Sequence, residues 1–163
     1  MPRRAITTGM RVAAAVAVAL AAAGPGAAPA RPADDSARAF AVRVVWANLH
    51  RRYDVVWSSI YPRYRGITTR TFYVACKRQK ARRNASLTWL SVRAPSARQL
   101  SVRLPLLGRV RITRVTLLGS VRVPILGTRT VRNSLDVMRR GGRWFAVPTL
   151  DEYRAYTGGR CPR

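Results

Sequence analysis

Gly141 and Gly142 restrict this chain more than any other pair of residues. They stand between two strand-like runs, Asn133-Ser134-Leu135-Asp136-Val137-Met138 and Trp144-Phe145-Ala146-Val147, with Arg140 and Arg143 at the joins. Adjacent residues free to take positive φ are what a tight antiparallel hairpin needs. The segment from Val110 onward extends the pattern. Val110 and Ile112 alternate with Arg111 and Thr113, after which the apolar parity passes to Val115 and Leu117. A change of parity inside a strand is what a β-bulge produces. Val121 and Val123 flank Arg122, and Val131, Leu135 and Val137 alternate with Arg132, Ser134 and Asp136. Thr149 and Glu152 have the spacing of a capping box, and Gly158-Gly159 closes the helix they open. No internal repeat or long low-complexity tract is read from Arg31 onward.

Everything before Val110 reads mainly as helices for such a sheet to pack against. Asp35 or Ser36 caps the first. Val42, Val45, Trp46, Leu49, Tyr53, Val56, Trp57 and Ile60 then recur at spacings of three and four, with Arg43, Arg51, Asp54 and Ser58 opposite. Pro62 stops the run, and Asp54 as a second cap splits it into two helices. Thr68-Thr69 caps a further short helix carrying Phe72, Tyr73 and Cys76, followed by a basic connector from Lys77 to Asn84. Leu87 to Val92 and Gln99 to Leu104 read as two strands.

The amino terminus has the form of an export signal. Arg3 and Arg4 precede an apolar run from Val12 to Ala23, and Ala28-Pro29-Ala30 fits the small-residue cleavage pattern. The run is shorter than the ~20 residues of a membrane span, so a cleaved signal is expected rather than an anchor. Residues 1–30 are therefore assigned to the signal, 31–36 to a polar linker and 37–163 to one domain. The mature chain has 163 − 30 = 133 residues, enough for a core of its own. In an exported chain the pair Cys76 and Cys161 reads as one disulfide, closing a loop of 161 − 76 = 85 residues.

Charge is the most unusual bulk property. The chain holds 31 Lys and Arg against 6 Asp and Glu. Loss of Arg3, Arg4 and Arg11 leaves 31 − 3 = 28 basic side chains, a mature charge of +22. Such a surface attracts polyanions and anionic membranes. Arg103, Arg111, Arg122 and Arg132 each fall out of phase with neighbouring apolar residues, which places them on one sheet face turned away from the core. The alternatives for that face are a docking surface for phosphate- or carboxylate-rich polymer and a solvated face that keeps the protein soluble. Four Arg meeting four Arg disfavour a homodimer through it.

Catalytic groups are scarce. Asp34 and Asp35 lie in the linker, and Asp151 and Glu152 in a helix's first turn, where acids serve the helix dipole. Weak candidates are Asp136, whose parity turns it away from the core, and His50, four residues before Asp54 on one helical face. One His and two oxidised Cys do not build a metal site, and no phosphate-cradling loop follows a strand. Neither a cofactor nor a metal is expected. Trp46, Trp57 and Trp144 are core residues first and pocket-lining residues second.

Taken together, Trp46, Tyr53-Asp54-Val55-Val56-Trp57, Tyr61-Pro62, Phe72-Tyr73-Val74-Ala75-Cys76, Gly142-Arg143-Trp144 and the tail Tyr153 to Pro162 resemble the nuclear transport factor 2-like superfamily, which includes ketosteroid isomerase. The narrower likeness is to its small exported actinobacterial members. The resemblance covers Ala37 to Pro162. It implies an α+β fold: a cone-shaped, curved, mixed or antiparallel sheet wrapped by N-terminal helices, with a short C-terminal helix and a pocket inside. It implies no single function, because that fold hosts enzymes, binders and assembly modules. The expectation is a non-enzymatic exported binding protein of the cell envelope, its partner an anionic polymer or anionic lipid surface. A carrier or sensor of a small apolar ligand in the cone is the runner-up, and an isomerase- or dehydratase-like enzyme the third reading. Specific nucleic-acid binding is not expected, since no recognition helix or stacking motif is present.

Overall fold

The computed structural model describes residues 36–162. The expected signal, and the linker up to Asp35, lie outside the described residues. In chain order the elements are α1 Ala37–Leu49, α2 Tyr53–Ser59, α3 Pro62–Arg65, α4 Arg70–Arg83, β1 Thr88–Leu104, β2 Gly108–Val123, β3 Gly127–Arg140, β4 Arg143–Val147 and α5 Leu150–Thr157. The strands form one antiparallel sheet in the order β1-β2-β3-β4, so the fold is α+β with an open meander and a short C-terminal helix.

Ser36 caps α1, its hydroxyl accepting from the Ala39 N–H at 3.1 Å. The helix breaks after Leu49, where Arg51 takes φ 59° and the Arg52 N–H returns to the Ala47 carbonyl at 2.8 Å. Two helices therefore stand where two were expected, but Asp54 does not cap the second. The cap residue is Arg52, and Asp54 sits in the first turn of α2, where Arg70 holds its carboxylate at 2.6 Å. The core side of α1 is also not the expected one. Ala37, Ala41, Val44 and Ala47 are buried, while Val42, Val45, Trp46 and Leu49 are half-buried. Alanines let the helix axis approach the sheet, and the larger side chains then fill the flanks.

Pro62 both ends α2 and opens α3, since its missing N–H is one that a first helical turn leaves unpaired anyway. Thr69 caps α4, accepting from the Phe72 N–H at 3.2 Å. That helix runs through Arg83, so the stretch expected as a basic connector is helical. Lys, Arg, Gln and Ala are strong helix formers, and cations suit a helix C-terminus.

In the sheet, β1 is one long strand where two were expected. It runs through Pro95, and register shifts between Trp89 and Ser91 and between Arg93 and Ser96 absorb the irregularity. As an edge strand it has a free side for the residue that cannot donate. The bulges thus lie in β1, not in β2. The parity change in β2 has another cause: β2 pairs with β3 only from Thr113 to Val123, and Gly108 to Ile112 pair with β1 alone. Val110 and Ile112 pack with Tyr64, Met138 and Val147, whereas Val115 and Leu117 pack with Ala37, Ala41 and Val137. The sheet is buried on one side before Thr113 and on the other after it. In the β3–β4 hairpin the neighbours Val137 and Met138, and Ala146 and Val147, are all buried, so both of its faces are covered.

The glycine hairpin forms as expected, with Gly141 at φ 53° and Gly142 at φ 75°. The capping box of α5 is also present. Contrary to expectation the chain does hold a short repeat. Ser101-Val102-Arg103-Leu104-Pro105-Leu106-Leu107-Gly108 recurs as Ser120-Val121-Arg122-Val123-Pro124-Ile125-Leu126-Gly127, and the two copies make the β1–β2 and β2–β3 turns. Both turns use positive φ at the same two places, Leu106 (66°) and Gly108 (69°), then Ile125 (68°) and Gly127 (74°).

Candidate binding surface and cavity

The four arginines singled out from the sequence are all exposed, yet they do not share a face. Arg103 pairs with Arg109 and Ser101 with Arg111, which puts Arg103 and Arg111 on one side. Arg122 and Arg132, the latter paired with Leu118, stand on the other. The reason is the parity change: each arginine points away from the buried row beside it, and the buried row changes sides. On the side of Arg122 and Arg132 the register adds two residues that the sequence did not reveal. Arg93, Leu118 and Arg132 form one cross-strand row, and Arg98, Arg114 and Asp136 another. Both new residues fall in the stretch of β1 read as a gap between two strands.

Asp136 is the acid on that side, and it is already engaged. Arg114 donates Nε to Oδ1 at 2.7 Å and Nη2 to Oδ2 at 2.8 Å, leaving the carboxylate side chain 12% exposed. The hydrogen bonds and charge of Asp136 raise the Arg114 pKa further. Both carboxylate oxygens are thus taken up by guanidinium N–H groups. The other candidate base is not assembled with its partner either. The exposed His50 ring donates Nδ1–H to the Trp46 carbonyl at 2.9 Å and lies 5.1 Å from the Trp46 ring, while Asp54 pairs with Arg70. The helix break at Arg51 destroys the spacing that would have brought His50 and Asp54 together.

Between α1, α2, α4, α5 and the sheet lies a cavity of about 150 Å³. Val44, Val56, Ile60 and Leu135 supply apolar wall, and Trp57, Tyr73 and Tyr156 supply rings. Trp57 lies 5.2 Å from Tyr73, and Tyr73 lies 5.7 Å from Tyr156. Of the expected pocket aromatics only Trp57 lines this space. Trp144 packs beside Ala37 and Ala41 with the Arg139 guanidinium 5.7 Å above it, and Trp46 covers His50.

The cavity's polar groups are few and specific. The Tyr156 hydroxyl and the Asn48 Oδ1 are buried without a hydrogen-bond partner. Lys77 Nζ lies 3.8 Å from Glu152 Oε1, and Glu152 Oε2 accepts the Thr149 N–H at 3.1 Å. Burial lowers the Lys77 pKa, with Glu152 opposing the shift. Burial pushes the phenols of Tyr73 and Tyr156 up, and the charge of Glu152 adds to both. Sequence reasoning missed this group. One signal was available: Lys77 and Lys80 are the only lysines in an arginine-rich chain. A wider groove of about 1010 Å³ opens beside the cavity and carries Arg51, Lys80, Arg114, Arg154 and Arg160 on its walls.

The Cys76–Cys161 disulfide is formed, with Cα atoms 5.2 Å apart, and ties the tail after α5 to the middle of α4. It is compatible with an extracytoplasmic location. No protein-family profile matches the chain, and no curated protein matches it. Among solved structures it is similar to a SEC-C motif containing protein from Rhodopseudomonas palustris, at 13% identity and a TM-score of 0.45. That match covers 68% of this chain and 73% of the other.

Proposed function

We propose that this chain is an exported, non-enzymatic binding protein of the cell envelope that docks through its arginines on an anionic partner. The observation that carries this reading is the exposed set Arg93, Arg98, Arg122 and Arg132, on a side whose acid, Asp136, is already held by Arg114. Guanidinium forks facing solvent from every second cross-strand row of that side suit phosphate or carboxylate groups repeated along a polymer or a lipid surface. The nuclear transport factor 2-like cone belongs to the same proposal. Its support is the order of helices before a four-stranded meander and a cavity between the two.

The test is binding of soluble polyphosphate and of duplex DNA across a salt series. Binding to both is expected at low salt, falling steeply as salt rises through counterion release. The variant R93Q/R122Q/R132Q should weaken binding and flatten the salt dependence, while R103Q/R111Q on the other side should change it less. Equal loss from both variants would mean that only total charge counts, and no loss from either would remove the reading.

A second reading, a carrier of a small apolar molecule, is favoured by one observation: the buried Tyr156 hydroxyl has no partner and borders the cavity. A mainly apolar cavity of about 150 Å³ holds a molecule of benzene's size. Native mass spectrometry of the purified chain should then show a small adduct that Tyr156→Phe diminishes.

A further inference from the structure

The two copies of the repeated turn differ in what covers them. In the first, the Tyr64 hydroxyl donates to the Pro105 carbonyl at 2.7 Å, Arg63 Nη1 donates to the Leu106 carbonyl at 3.3 Å, and Leu107 packs beside Tyr64. In the second, every residue from Pro124 to Ser134 is exposed. Ile125 is 105% exposed and Leu126 59%.

Ile125 is also held at φ 68°, at the centre of a three-residue turn closed by the Leu126 N–H on the Pro124 carbonyl at 2.8 Å. β-Branched residues avoid positive φ, and turns of this kind are strained. Asn or Gly fits the position without that cost. Folding stability therefore disfavours both the identity of this residue and its exposure, and a strained, exposed side chain of this kind points to a role outside the fold. Arg122 and Arg129 flank it, three and four residues away on the two strands, and both are exposed. At ~3.4 Å per residue they stand roughly 10–14 Å behind the tip. That matches an apolar segment buried about 5–10 Å into a membrane interface with its cations among the headgroups.

We propose that the β2–β3 tip is an interfacial membrane anchor: Pro124, Ile125 and Leu126 enter the acyl boundary of an anionic bilayer while Arg122 and Arg129 engage its headgroup phosphates. This rests on the reading of the arginines as an anion dock and narrows the partner to a lipid surface. Among the described residues no helix is long and apolar enough to cross a membrane.

The test is hydrogen exchange of the full, oxidised chain alone, with phosphatidylglycerol vesicles, and with phosphatidylcholine vesicles. The readout is local to the hairpin, so attachment by any other segment does not imitate it. Amides from Ile125 to Arg132 should slow on phosphatidylglycerol alone. I125D/L126D should abolish that protection yet bind soluble polyphosphate as the unaltered chain does. Ile125→Asn should weaken vesicle binding about tenfold, the loss expected for one apolar side chain leaving the interface. Its melting temperature should stay level or rise, which separates a docking role from a structural one. Protection that is absent, that appears equally on phosphatidylcholine, or that survives I125D/L126D overturns the anchor. An unprotected tip on a chain that still binds polyphosphate through Arg93, Arg122 and Arg132 removes this inference and leaves the wider reading. A chain that binds neither probe removes both.

Discussion

Tyr64 is 2% exposed and joins the helical part of the chain to the first hairpin through one hydroxyl. Burial, with Tyr153 adding, pushes its pKa up to about 12. Free tyrosine titrates at about 10, so below that pH both folded and unfolded chains keep the proton and the group's contribution is complete. Between about pH 10 and 12 the unfolded chain ionises first, and stability falls as pH rises. The buried phenols of Tyr73 and Tyr156 act in the same direction. Denaturant unfolding across this range should therefore show an alkaline decline that Tyr64→Phe makes shallower. At neutral pH the same variant should cost about 1 kcal/mol, the worth of one hydrogen bond. Asp136 makes the opposite kind of test. If its role is to hold Arg114, Asp136→Asn should lower stability by about 1–2 kcal/mol, between the values for exposed and buried pairs. A variant as stable as the parent would free Asp136 for another task.

Strand β1 shows how far local pattern reaches at the scale of an element. Its two halves were legible from Leu87 to Val92 and from Gln99 to Leu104, because alternation is a local property. Their union through Pro95 was not, because it depends on β2 supplying an unbroken partner and on two register shifts. The α1–α2 break was legible as well, but its mechanism was not: Arg51 at positive φ leaves no mark in composition. Close packing leaves more. A Cβ built on Gly119 would lie 2.2 Å from Trp89 Cζ3, so the indole rests directly on the bare backbone of β2. Gly119→Ala should displace the ring and cost about 1–3 kcal/mol, seen as a lowered melting temperature together with altered tryptophan fluorescence. The disulfide acts between elements rather than within one. Its 85-residue loop is worth about 4.5 kcal/mol in the loop-entropy account. Reduction should lower the unfolding midpoint substantially, and a midpoint unmoved by reductant would assign the stability elsewhere.

For the molecule as a whole, the formal charge of +25 was plain from composition, but its arrangement was not. Arg103 and Arg122 occupy the same place in the two repeated turns, yet they stand on opposite sides of the sheet. Arg103 pairs with Arg109, and 122 − 109 = 13 residues along β2 is an odd number, so the alternation of that strand sends Arg103 and Arg122 to opposite sides. The cavity was still less visible. Asn48, Lys77 and Tyr156 come from three different helices, and only tertiary packing brings them together. The same repeat has a consequence for reach. The 16 residues of β2 separate its two turns by about 50 Å if extended. A protein gripping a surface by the second turn would carry the first out at that distance, so β2 would act as a spacer that sets the standing height of whatever the far end presents.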